Sequence, residues 1–167
     1  MRRVNNLQLT PADSPVAGVC ESNVMAQDKN QTSPFSIQDA LVALMVATSI
    51  SDDRIKTLEL LSIQRIVDHL PMFGKYDADR VASVSQIVFD LFDEEDGLDA
   101  LFGLVRNALP ERLFETAYAL SCDVAASDGL LRESELRFLA EMRYELTIDR
   151  LAAAAIERGA RARHMVE

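Results

Sequence analysis

From Ser36 onward, apolar and polar residues recur along the chain at helical spacing, and no stretch reads as a strand. Ser36-Ile37-Gln38-Asp39 is a capping box with Asp in place of the usual Glu. Behind it Ile37, Ala40, Leu41, Leu44 and Met45 share one helical face, and the turn Ser49–Asp53 ends the helix. Thr57 to His69 predicts a second helix, with Leu58, Leu61, Ile66 and Leu70 inward and Pro71 as its stop. A third runs from about Asp77 to Phe92 through Val81, Val84, Ile87, Val88 and Leu91, closed by Asp93-Glu94-Glu95-Asp96-Gly97. A fourth, Leu98 to Ala108, ends before Pro110. Pro110, suited to a first helical turn, opens a long apolar helix that reaches Ala126. After a second Ser-Asp turn come a helix from about Glu133 to Leu146 and, capped by Thr147-Ile148-Asp149, a last one from Arg150 to about Arg163. The expectation is an all-α bundle of seven helices.

The two Ser-Asp turns are copies. Residues 39–63 and 115–139 share six identities: Ala43/Ala119, Leu44/Leu120, Ser51/Ser127, Asp52/Asp128, Glu59/Glu135 and Leu60/Leu136. Lys56/Arg132 and Ile63/Leu139 are conservative matches, and Asp79-Arg80-Val81-Ala82 echoes Asp149-Arg150-Leu151-Ala152. A repeat on this scale predicts two related, pseudosymmetric halves.

Composition narrows the picture. The 167 residues suffice for one domain with a proper core. Residues 1–33 carry three charges of each sign and no hydrophobic period, so they read as a disordered tail, within which Met25 offers an alternative start. The net charge of −10 therefore belongs to residues 34–167, the helical domain, and argues against a nucleic-acid groove. Cys20 and Cys122 lack metal-knuckle spacing and suggest a reduced, cytoplasmic protein. No apolar run approaches a membrane span.

Set on a calcium-binding EF-hand loop, Asp128, Gly129, Leu131 and Glu135 occupy positions 5, 6, 8 and 12. Positions 1 and 3 are Val124 and Ala126, which offer no side-chain ligand, so each copy is half a loop. If the halves face each other, Asp52, Glu59, Asp128 and Glu135 pool into one all-oxygen site suited to Ca²⁺, Mg²⁺ or Mn²⁺. The plainer alternative makes both Asp residues turn caps and both Glu residues solvated members of a first helical turn. Asp123 and Glu133 are weaker candidate ligands; Asp93–Asp96 with Asp99 reads as a solvated loop. His69 reads as a C-terminal helix cap, Cys122 as core, and His164 with Arg158, Arg161 and Arg163 as a basic helix end. No phosphate-binding loop, nucleophile elbow or metalloprotease helix is present, so no enzymatic activity is expected.

Ala125-Ala126-Ser127-Asp128-Gly129-Leu130-Leu131 with Glu135, and the looser Ser51-Asp52-Asp53-Arg54-Ile55 with Glu59, resemble the TerB-like family of bacterial tellurite-resistance proteins. That family also supplies a domain in some J-domain co-chaperones. The resemblance covers about residues 36–160 and departs from the motif where Asp53 stands opposite Gly129. It implies a pseudosymmetric all-helical fold, an acidic face holding a divalent cation, and a cytoplasmic role linked to integral membrane-protein partners. Two functional expectations result. One is a non-enzymatic divalent-metal-binding module of tellurite or stress resistance. The other is a helical interaction domain whose acidic face docks a basic partner without metal.

Overall fold

The computed structural model describes residues 35–50, 57–77 and 79–165, all within one compact unit, and the tail of residues 1–33 lies outside them. Helix α1 (Ile37–Ile50) starts by the device its sequence spells. Ser36 Oγ accepts from the Asp39 N–H at 3.1 Å, and Asp39 Oδ2 accepts from the Ser36 N–H at 2.9 Å. Every residue of α1 from Asp39 to Ser49 is buried, as suits a helix that is apolar all round and must lie at the centre. Its two late hydroxyls are satisfied internally, Thr48 donating to the Leu44 carbonyl and Ser49 to that of Met45.

Around α1 come α2 (Thr57–His69), α3 (Asp79–Phe92), α4 (Gly97–Ala108), α5 (Phe114–Ala125), α6 (Glu133–Glu145) and α7 (Arg150–Arg163). The central helix packs on α2, α3, α4, α5 and α6; α5 is a second pillar that carries α2, α6 and α7. Among the described residues the fold is all-α: these seven helices, two 3-10 turns and no strand. No helix among them is long and apolar enough to cross a membrane.

Three local expectations are corrected. The inner face of α2 is Glu59, Ile63 and Val67, whereas Leu58 and Leu61 face outward, 58% and 47% exposed. Both faces carry enough apolar residues to compete, and the one that reaches α1 and α5 wins. Ile87 of α3 is likewise exposed, while Val81, Val84 and Val88 are buried. Pro110 does not begin an α-helix: it opens a 3-10 turn, Glu111–Leu113, closed by the Leu113 N–H on the Pro110 carbonyl at 2.8 Å. The Leu113 backbone (φ −105°, ψ 2°) leaves helical geometry, so α5 starts at Phe114.

Between α6 and α7, Ile148 N–H bonds the Arg143 carbonyl and Thr147 N–H that of Tyr144, the paired bonds of a Schellman ending. This ending places Thr147 at φ 49°, where a β-branched residue is strained. Left-handed geometry costs about 1–2 kcal/mol, and the entropy of a glycine returns about 0.5–1 of it. Thr147→Gly is therefore expected to stabilise the domain by about 0.5–1 kcal/mol in urea melts. An unchanged or lower midpoint would contradict the strain.

Candidate functional site: the paired acidic turns

After Ala125 the chain leaves α5 through a turn that needs Gly129 at φ +75°. Asp128 Oδ1 closes it by accepting from the Leu130 N–H at 2.9 Å. Arg132, in extended backbone geometry, precedes the first turn of α6, and its N–H donates to Glu135 Oε2 at 3.0 Å. Glu135 thus performs the reaching-back half of a capping box from inside the protein, being only 2% exposed.

The Arg132 guanidinium gathers the carboxylates. Nη2 donates to Asp128 Oδ2 at 2.8 Å and Nη1 to Glu135 Oε1 at 2.9 Å, while Nη1 stands 3.6 Å from Oε1 of Glu59 in the first turn of α2. Glu59 is 3% exposed, so neither glutamate is the solvated first-turn residue of the plainer reading. Three of the four predicted carboxylates, drawn from both copies of the repeat, therefore meet on one cation that the chain itself supplies. Asp52 lies outside the described residues, as do Asp53 and Lys56. The hydrogen bond that Arg132 donates to Asp128, with the one it donates to Glu135, pushes its pKa up despite partial burial, so the guanidinium remains charged.

The donor set is all oxygen, the chemistry that suits Ca²⁺, Mg²⁺ or Mn²⁺. As arranged, however, the oxygens that would face an ion face the guanidinium. Among the described residues no group of three or more His, Cys, Asp and Glu side chains is placed to hold a metal ion. Arg132 was the missing member of the sequence reading. Its signal was present, because both copies keep a basic residue four positions after the Asp and three before the Glu: Asp52, Lys56, Glu59 and Asp128, Arg132, Glu135.

The weaker candidates lie elsewhere. Asp123 accepts from Arg163 Nη2 at 2.6 Å and sits 3.5 Å from His164 Nε2, so the basic helix end folds back on α5. Glu133 pairs with Arg137 on the exposed side of α6. His69 Nδ1 donates to the Arg65 carbonyl at 2.8 Å, the helix-end capping its position predicted. Asp93, Glu94, Glu95, Asp96 and Asp99 are exposed and make no ion pair among the described residues. Cys122 is a buried free thiol; burial, then the charge of Glu157, pushes its pKa up to about 12, the opposite of an activated nucleophile. Comparison with family models, with curated proteins and with solved structures returned no match.

Proposed function

We propose that this chain is a non-enzymatic helical interaction module in which the paired acidic turns act as an internal clasp between two related halves. The clasp leaves the exposed acidic turn between α3 and α4 to meet a basic partner. The observation that carries this reading is Arg132, whose guanidinium stands among Asp128, Glu135 and Glu59 where an ion would otherwise sit. Kinship of the halves is supported by packing and burial. Helix α1 packs on α2 and α3 as α5 packs on α6 and α7. Repeat partners also share environments: Glu59 and Glu135 are buried, Ile63 and Leu139 are buried, and Leu60 and Leu136 are 47% and 49% exposed.

The resemblance to the TerB-like family supports a second reading, a divalent-metal module of bacterial tellurite or stress resistance. The observation in its favour is that oxygen donors from both copies converge on a single point. In that reading Arg132 yields its place to the ion. A cytoplasmic location beside a membrane-protein partner accompanies either reading as part of the same proposal.

Thermal melts separate the two. A cation that binds only the folded form at about a hundredfold its dissociation constant adds about 2.7 kcal/mol. Under the clasp reading, saturating Ca²⁺ or Mn²⁺ leaves the wild-type melting temperature unchanged, and Arg132→Gln lowers it. Binding of a lysine-rich peptide falls steeply with salt and is lost in Asp93→Asn/Asp96→Asn but not in Arg132→Gln. A metal-induced rise reversed by chelator, abolished in Asp128→Asn/Glu135→Gln, would instead establish the metal reading.

A further inference from the structure

A cavity of about 240 Å³ opens between α5, α6 and α7, against the buried thiol of Cys122. Its apolar lining comes from Cys122 and Ala126 of α5 and its end, from Leu136, Leu139 and Ala140 of α6, and from Ala160 of α7. Such a volume lies between the roughly 150 Å³ of a cavity that accepts benzene and the roughly 300 Å³ at which drug-sized pockets begin. One short aliphatic chain is therefore an occupant of the right size.

The polar groups of the lining are Tyr118, Glu157, Arg143 and Arg161. Tyr118 donates to Glu157 Oε1 at 2.6 Å, and burial together with Glu157 pushes the phenol pKa up, so the hydroxyl stays a donor. Arg143 Nη1 approaches the same carboxylate only to 3.9 Å, and Arg161 makes no ion pair among the described residues. Two guanidinium groups against one carboxylate, itself engaged by a phenol, leave the cavity with one positive charge in excess.

We propose that this cavity binds a small amphipathic anion, a short- to medium-chain aliphatic carboxylate. The chain lies against Leu136, Leu139 and Ala160, and the head group meets Arg161 and Arg143. Each requirement has a counterpart in the lining: apolar walls exclude water from the chain, and the guanidinium fork suits a carboxylate better than a neutral head.

Sodium octanoate, kept below its micelle concentration, is the probe, read by amide chemical shifts on the full chain. Saturable shifts confined to α5, α6 and α7 are expected, with octylammonium at least tenfold weaker. Arg143→Gln/Arg161→Gln is expected to weaken octanoate at least tenfold while leaving the melting temperature nearly unchanged. Ala140→Trp, which fills the lining from an exposed position, should abolish binding; Leu136→Trp replaces it if that variant does not fold. In a Cys20→Ser background, octanoate should slow the labelling of Cys122. Absence of saturable shifts, equal binding of octylammonium, or octanoate binding untouched by the double arginine change would each overturn the proposal.

Discussion

Gly97→Ala is expected to destabilise the domain by about 3 kcal/mol or more, at the upper end of overpacking effects. A Cβ built on Gly97 would lie 1.6 Å from the Leu91 carbonyl oxygen and 2.5 Å from its carbon, and both atoms are backbone. No rotamer change relieves such a clash, so the α3–α4 turn itself must move. That turn is fixed from both sides. Asp93 N–H bonds the Phe89 carbonyl, Glu94 N–H that of Leu91 and Gly97 N–H that of Glu94. Immediately beyond, α4 sends Leu101, Phe102 and Val105 into the core, and Phe102 stacks on Phe138 of α6 at 5.9 Å. For a domain of this size the loss corresponds to a melting temperature lower by about 10 °C. Gly103→Ala in the same helix is the control. Nothing lies within 4 Å of its Cβ, so it should be neutral or stabilise by up to about 1 kcal/mol. Equal melting of the two variants would show that the close approach at Gly97 is not what the residue is for.

The unequal legibility of these features has physical causes. Helix ends were readable because their signals are local: the Ser36–Asp39 box, Pro71 after α2, and Asp149, whose Oδ1 accepts from the N–H groups of Leu151 and Ala152. The pairing of Asp128 with Glu135 was readable because both lie within one turn of the chain, four residues before and three after Arg132. What stayed hidden depended on partners far away in sequence. Glu59 turns inward in place of Leu58 because the charge that receives it, Arg132, stands 73 residues on. From α2 alone, a buried glutamate is the costlier choice. Gly97 announced a helix boundary, but its close approach to Leu91 depends on how two helices meet.

Asp39 is the other place where one side chain holds distant elements together, and its loss is expected to remove about 2–4 kcal/mol. Its carboxylate is fully buried and receives four hydrogen bonds. Two come from Arg80 at 2.8 and 2.9 Å, one from the Tyr76 hydroxyl at 2.8 Å and one from the Ser36 N–H. They join the start of α1 to α3 and to the segment before it. Removing one partner of a buried charged pair costs about 3–5 kcal/mol. Here the figure is discounted, since the Arg80 side chain is 46% exposed and rehydrates. Burial alone would push the Asp39 pKa up, but the hydrogen bonds from Arg80, Ser36 and Tyr76 outweigh it and hold the carboxyl below its ordinary value. The unfolded chain therefore takes up the proton first as pH falls. The stabilisation is complete above the unfolded carboxyl value of about 3.9 and is lost as pH falls through the lower folded value. Asp39→Asn keeps the shape and lacks this titration. Its deficit against wild type in urea midpoints should be largest near pH 7, hold to about pH 5, and shrink steadily toward pH 2. Carboxylates common to both proteins cancel in that difference, so a deficit that stays constant down to pH 2 would show that Asp39 is not held ionised by these bonds.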